Sequence, residues 1–494
     1  MADARPFHWE YSPKPVVRER FLVSGPTPLD GTVRVSGAKN AALKMLAAAT
    51  LTGERCRLTN VPDIEDVRVM TETLRDLGVV VDRPEPNVCE ISAGDVDWLF
   101  VPLEAAAKMR ASFMLLGPLL ARFGEVIISN PGGDRIGRRP VDLHVDAMRA
   151  LGATIDYRYG YYYAKSPGRL RGAEVTFPFV SVMGTENAML ATTLAMGHTV
   201  IRPAAQEPEV DDLIAFLCKM GADVVRTAPD TIEVEGRKRL RGTEHHVIPD
   251  RIEAGTFAIA AGVNRGRVVL EGADCDTMAA LVAILGEAGV EVTCAPGRIE
   301  VDARHLGPGE LRAVDIETAP YPGLATDIQP PTSVLLTQAN GLSHVHEAIF
   351  EDRLEWMGEL RKMGAKVTLR DARHAEIRGP AKLHGATVEI SDLRAGASLI
   401  LAALAADGTT SIGGAHHVRR GYENIERKFL DLGARIERVE ETESPSPARI
   451  SASISAPPTS SSTSRAGASS SRNPPSSRST TRARSGPWAR KPGR

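Results

Sequence analysis

The chain is poor in aromatic residues. Phe, Trp and Tyr make up 5% of its 494 residues, so any core must rest on Ala, Val, Leu and Ile. Cysteine is scarce as well: Cys56, Cys89, Cys218, Cys275 and Cys294 are scattered, odd in number, and without CxxC spacing. That pattern argues against a disulfide framework and a zinc site, and it fits a reducing compartment. No run of about 18 apolar residues occurs, and the N-terminus MADARPFHWEYSPKPVVRER lacks an apolar signal core. A soluble cytoplasmic protein with no membrane partner is expected. Acidic residues are missing beyond Glu443, where the chain turns to Ser, Pro and Arg. Nine of the 60 basic residues lie in that tail, leaving 51 against 62 acidic ones and a body near −11. That sign excludes a nucleic-acid binder by charge, so any arginine cluster in the body is local. There is no GxxxxGK[ST] loop, no GxGxxG after a first strand, and no His/Cys metal spacing. Kinase chemistry, hydride transfer and a metal site are unsupported, and no cofactor is expected.

What the chain does have is repetition. Six segments share a period of roughly 70 residues: a short strand, an Ala/Leu/Met-rich helix, a second strand near Gly, then an amphipathic helix ending in Leu-Gly or Met-Gly-Ala before a β-branched strand. The first helix of each unit, as in AALKMLAAATL and ASLILAALAA, is apolar nearly all round and should be buried. The second, as in DDLIAFLCKMGA, alternates charge with apolar residues at helical spacing and should cover one side of a sheet. Three units can bundle their buried helices beneath sheets, so six predict two similar α/β domains with a ligand cleft between them. The expected layout is an extension over 1–16 and one domain over 39–248, with a mobile loop near 129–139. A second domain takes 17–38 plus 249–441, and a disordered tail takes 442–494.

Unusual polar residues fall at the strand-to-helix junctions that should face this cleft. They are Lys39 and Asn40, Arg110, the loop PGGDRIGRRPVDLH with Asp134, Arg138 and Arg139, then Asp327, Arg353, Asp392, Arg394, Arg419 and Arg420. Each alone reads as a helix cap or a surface ion pair. Together, several cations and two or three carboxylates from different segments point to a substrate carrying phosphate and carboxylate charge, with the acids moving protons.

The segments VSGAKNAALKMLAAATL, KMRASFMLLGPLLARFG, PGGDRIGRRPVDLH, PDRIEAGTF, TDIQ, IFEDR, DLRAGASL and RRGYENIE, spread over roughly residues 17 to 440, resemble those of the UDP-N-acetylglucosamine 1-carboxyvinyltransferase family. The resemblance implies two inside-out α/β barrels, each of three repeated βαβαββ-type units around buried helices. It also implies transfer of the enolpyruvyl group of phosphoenolpyruvate to the 3-hydroxyl of UDP-N-acetylglucosamine, the reaction that opens peptidoglycan synthesis. Carried over position by position, Lys39, Arg139 and Arg420 match the sites that hold the phosphate of phosphoenolpyruvate, and Arg353 and Arg394 those near its carboxylate. Asn40 and Asp327 match sugar contacts, with Asp327 the base for the attacking hydroxyl. Arg110, Arg139, Pro140, Val141, Asp142 and Leu143 match the uridine pocket, and His144 closes that motif. Ser181 and Val182 lie toward the diphosphate, and Ile349 is assigned to the UDP-sugar site. Asp134, Asp327, Lys39 and Arg420 are the expected catalytic set, with no metal or organic cofactor. The partners implied are the two small-molecule substrates, in a monomer or weak oligomer.

The chain departs from the family at several of these positions. Asp134 stands where a loop cysteine is usual, which implies insensitivity to fosfomycin, because a carboxylate is a far poorer nucleophile toward an epoxide than a thiolate. Phe179 replaces a lysine near the diphosphate, Met183 a glycine, Leu324 and Ala325 the usual Phe-Pro, and Arg419 an aspartate. These keep open an enolpyruvyl transferase acting on another nucleotide acceptor. A non-catalytic UDP-sugar binding protein is a third reading, against which the full arginine set and Asp327 stand.

Overall fold

The helices that the sequence makes apolar on every side are the ones the fold buries. In the computed structural model, which describes residues 16–134 and 136–443, they are Lys39–Ala48, Leu116–Phe123 and Val182–Thr192 in one half of the chain. In the other half they are Arg251–Val263, Gln329–Gln338 and Leu393–Ala405. Small and aliphatic side chains let these helices pack closely, and every residue from Leu393 to Leu404 is buried. The buried apolar residues form two clusters, one drawn from Ala38 to Val247, the other from Phe21 to Val35 and from Ile252 to Ile436. The expected N-terminal extension, but for its last residue, and the expected tail beyond 443 lie outside the described residues.

Among the described residues six four-stranded sheets surround these helices, all with one strand order: an outer strand parallel to the second, then two antiparallel partners. Three of the sheets are completed by strands distant in sequence. Val16–Gly25 pairs with Gly408–Gly413 and Arg435–Glu443, Asp30–Arg34 runs parallel to Arg267–Glu271, and Glu244–His246 runs parallel to Cys56–Thr59. The chain therefore crosses between the two clusters twice, and the crossings lie side by side. Ala38 N–H donates to Ile248 O at 2.7 Å and Asp250 N–H to Ser36 O at 2.8 Å. Gly37 is obligatory here, because a Cβ would sit 1.6 Å from Asn60 O.

The cysteine reading needs one correction. Cys275 and Cys294 form a disulfide, with Cα atoms 6.0 Å apart and a sequence separation of 19. Scattered spacing conceals the pair because a turn and a surface helix bring Cys294, on the strand Glu291–Ala295, back beside Cys275. Among the described residues no helix is long and apolar enough to cross a membrane.

Candidate active site

The N-terminal ends of the buried helices converge, and they carry the singled-out residues. Lys39 opens its helix, its backbone N–H on Asp250 Oδ2 at 3.1 Å and its Nζ on Asp66 Oδ2 at 3.3 Å. Asp66 lies in the first turn of the helix Glu65–Asp76 and accepts Arg420 Nε at 3.0 Å through its other oxygen. Arg420 Nη1 then reaches Asp134 Oδ1 at 2.5 Å. A run of alternating charge, Lys39, Asp66, Arg420, Asp134, thus ties residues of both halves together.

Facing it is a second cluster. Asp327, just before the helix Gln329–Gln338, accepts Arg353 Nη2 at 3.1 Å and Arg394 Nε at 3.0 Å. Asp392 caps the helix of Arg394, accepting the Arg394 and Ala395 N–H groups, and so fixes where the guanidinium starts. That guanidinium stacks on Tyr422, 5.0 Å from the ring centroid. Arg353 Nε and both terminal nitrogens of Arg394 are buried with no hydrogen-bond partner among the described residues. Leaving such donors unmade costs about 1–3 kcal/mol each, and the oxygens of an anion would satisfy them.

The opening loop of the notable segment folds back over this region. Gly132 packs where a Cβ would lie 1.8 Å from Ala107 O, and Gly133 has φ 115°. Beyond them, Arg138 N–H donates to Glu351 Oε1 at 2.9 Å, and Asp352 N–H donates to Ile136 O at 3.3 Å. The loop of one half therefore rests on the other. Arg139 lies over the Phe350 ring at 5.4 Å. Arg110 donates to the carbonyls of Arg139 and Pro140, shaping the Pro140, Val141, Asp142, Leu143 turn into the helix Asp142–Ala150. His144 is buried against Asn187, Nδ1 to Nδ2 3.0 Å, and burial with Arg110 nearby drives its pKa down to about 3. It is a neutral prop, not a proton carrier. Ser181 caps the helix begun by Val182, accepting Gly184 N–H at 3.2 Å. Asn40 sits in the first turn beside Lys39, and Phe179 is 59% exposed near Ser181. Ile349 donates its N–H to Glu347 at 3.0 Å.

Charges decide the protonation states. Burial pushes the Asp327 carboxyl up, but Arg394, Arg353 and Lys39 outweigh it and hold the group far below the carboxylate range. Burial also works against ionised Asp134, and Arg420, Lys39 and Arg353 again prevail. Lys39 is lowered, burial exceeding the pull of Asp66, Asp134 and Asp327. Arg420 is raised, since Asp66 and Asp134 overcome its burial.

Sequence reasoning missed Asp66 and Glu347. In VPDIEDVRVM, Asp66 looks like an ordinary first-turn acid, and only the fold puts Lys39 and Arg420 on it. Glu347 is wholly buried and accepts Thr318, Thr326 and the N–H groups of Ile349 and Phe350, setting the loop that carries Arg353. Arg419, one of the singled-out cations, turns away from the cluster to pair with Glu19 at 2.7 Å.

The EPSP synthase (3-phosphoshikimate 1-carboxyvinyltransferase) family model matches residues 23–429. The chain is 46% identical over 420 residues to the UDP-N-acetylglucosamine 1-carboxyvinyltransferase of Glaesserella parasuis serovar 5, covering 85% of this chain and 98% of that one. It is 44% identical over 431 residues to the protein of that name in Paramagnetospirillum magneticum, covering 86% and 99%. Among solved structures, the enolpyruvyl transferase NikO of Streptomyces tendae superposes with a TM-score of 0.78 at 25% identity, covering 86% of this chain and 99% of that one. EPSP synthase of Acinetobacter baumannii shares the fold, with a TM-score of 0.68 at 21% identity over 85% of this chain and 100% of that one.

Proposed function

The chain belongs to the EPSP synthase family of enolpyruvyl transferases, and from that premise we propose that it transfers the enolpyruvyl group of phosphoenolpyruvate to the 3-hydroxyl of UDP-N-acetylglucosamine. The observation that carries this reading is the Asp327 cluster, a held-ionised carboxylate between two guanidiniums that keep three buried N–H-bearing nitrogens unpartnered. A carboxylate beside a cage of cations is what the addition step needs. Asp327 takes the proton of the sugar hydroxyl, whose oxygen bonds to the central carbon of phosphoenolpyruvate. The methylene carbon receives a proton from Asp134. In the second step that carbon gives a proton back, the carbon–oxygen bond to phosphate breaks, and phosphate leaves with the bonding pair. Arg353 and Arg394 take the carboxylate, while Lys39, Arg139 and Arg420 take the phosphate.

Asp134 can donate only when protonated, and Arg420 and Lys39 oppose that. A phosphate dianion bound by the same two cations offsets their field, so the Asp134 carboxyl rises as substrate binds. The acid is thereby armed by the group it serves. Asp134→Ala is expected to cut turnover about 10²- to 10³-fold with UDP-sugar affinity kept. Unchanged phosphate release would remove Asp134 from the chemistry. Because Asp134 stands at the usual position of the alkylated cysteine, fosfomycin at stoichiometric levels is expected to leave activity intact.

Asn40, Asp142, Leu143, Ser181, Val182 and Ile349 are assigned to the UDP-sugar, with the turn from Pro140 holding the base. A second acceptor is favoured by one observation: an exposed phenylalanine, Phe179, stands where the family has a lysine near the diphosphate. Phosphate release with UDP-N-acetylglucosamine, set against UMP and shikimate 3-phosphate, decides between them. The same reading places the protein in the cytoplasm as a monomer or weak oligomer, with peptidoglycan synthesis as its process.

A further inference from the structure

The two halves meet at a second place, on the side of the cleft next to the chain crossings. Glu423 lies three residues beyond Arg420. Its Oε1 accepts the Asp63 backbone N–H at 2.8 Å and the Asn87 amide at 2.7 Å, and its Oε2 accepts the Ser36 hydroxyl at 2.6 Å. Asp63 and Asn87 belong to the first half, Glu423 to the second, and Ser36 to the crossing itself. Asp63 also lies three residues before Asp66. Segments 63–66 and 420–423 are therefore pinned at both ends, by Glu423 on the Asp63 N–H and by Arg420 Nε on Asp66 at 3.0 Å.

The two side-chain partners of Glu423, Asn87 and Ser36, are themselves held. Asn87, at φ 59°, spends its amide on Val61 O at 3.0 Å as well, and Lys428 binds Ser36 Oγ at 2.7 Å while pairing with Glu253. The contact borders a pocket of about 480 Å³ that Arg34, Pro86 and His246 also line. Three hydrogen bonds to one carboxylate join the halves here, and such bonds weaken steeply with displacement.

We infer that Glu423 is a positioning residue for the transfer reaction: it clasps the halves at the crossing and thereby brings Arg420 into register with Asp66, Lys39 and Asp134. This rests on the enolpyruvyl transfer reading for its kinetic consequence, while its structural consequence stands alone. A shift of the clasp moves Arg420 away from the phosphate subsite and leaves the uridine turn at Pro140 to Leu143, built within the first half, undisturbed.

The test compares the full chain with Glu423→Ala and Glu423→Gln. Glutamine keeps the Oε1 acceptor for Asp63 and Asn87, and alanine removes every bond. Glu423→Ala is expected to lower kcat/KM for phosphoenolpyruvate about tenfold or more, one or two charge-assisted bonds' worth, with a smaller loss of UDP-N-acetylglucosamine affinity, since the uridine turn lies in the first half and only Asp327 and Ile349 of the assigned sugar contacts lie across the seam. Glu423→Gln should restore most of it. Asn87→Ala should lower kcat/KM less in Glu423→Ala than in the parent, since the two residues share one contact and only the bond to Val61 O is left to lose. Small-angle scattering of the ligand-free proteins should give a larger radius of gyration for Glu423→Ala than for the parent. Wild-type kinetics in Glu423→Ala, or equal loss of UDP-sugar binding, overturns the inference. If the parent itself releases no phosphate, the reading of function fails instead. The clasp is then judged by scattering alone, a larger radius supporting it and equal radii overturning it.

Discussion

Asp327 and Glu186 are both acids with a cationic nitrogen close by, one just before a buried helix of the second half and the other inside a buried helix of the first, and they behave in opposite ways. Asp327 stands at a helix end with 27% of its side chain open, contacted by Arg353 and Arg394 at 3.1 and 3.0 Å, and is held ionised. Glu186 lies in the interior of Val182–Thr192 with no exposure, and one ammonium, Lys44, at 3.3 Å. Neither of its oxygens has a hydrogen-bond partner among the described residues, and burial pushes its pKa up to about 7 despite Lys44. One cation without further hydrogen bonds does not repay the burial of a carboxylate, whereas two guanidiniums and a cleft do. Lys44 is only five residues past Lys39 on one helix, yet the end of the helix serves a site and its middle is embedded in the core.

The comparison breaks most visibly at Asp327. Asp327→Asn removes the base and leaves Arg353 and Arg394 without their counter-charge, so kcat is expected to fall about 10³-fold. Single-turnover phosphate release measures it. A variant retaining more than a tenth of parental turnover would mean that the acid only positions the arginines.

Next in size is Glu186→Gln, which strands the Lys44 ammonium in an apolar interior. Above pH 7, where Glu186 is ionised, a loss of about 3 kcal/mol of stability is expected, read as a lowered urea midpoint at constant slope. Phosphate release below the unfolding transition should be near parental, because the pair touches no site residue. An unchanged midpoint would show that Lys44 escapes to water.

How much of this was legible in the sequence divides along the same line. The all-apolar helices announced the buried bundles, because periodicity reports burial directly. Lys39, Arg110, Asp327 and Arg394 were conspicuous because a charge at a helix start next to an apolar run has little else to do. Asp66 was not, since a first-turn acid is ordinary, and its partners come from 27 and 354 residues away. Lys44 and Glu186 pass for polar breaks in apolar helices until the fold joins them across 142 positions of sequence. The strands Val16–Gly25 and Asp30–Arg34 complete sheets of distant repeats, a pairing no local pattern encodes. The Cys275–Cys294 bond likewise depends on a turn whose geometry the spacing does not reveal.

The smallest expected effect separates the two acids by sign. Glu186 has a folded pKa of about 7 against an ordinary value of 4.5, so the folded protein holds a proton that the unfolded chain releases in that interval. Its contribution to stability therefore falls as pH rises from 4.5 to about 7, by at most about 3 kcal/mol, and is flat above. Asp327, depressed below the carboxylate range, acts in reverse: its stabilisation is present above the ordinary carboxylate pKa and fades as pH drops below it. Lys44→Met sharpens the contrast. Without the ammonium, Glu186 keeps its proton to higher pH, so at pH 6 the variant should lie within about 1 kcal/mol of the parent, both carrying a neutral carboxyl. Above pH 7 the parental curve levels while that of Lys44→Met continues downward, and the gap between them widens with each step in pH. Urea denaturation of the two proteins from pH 5 to 9 measures that gap. A constant difference across the range would mean that Glu186 titrates independently of Lys44, and the low charge count around it would no longer explain why it differs from Asp327.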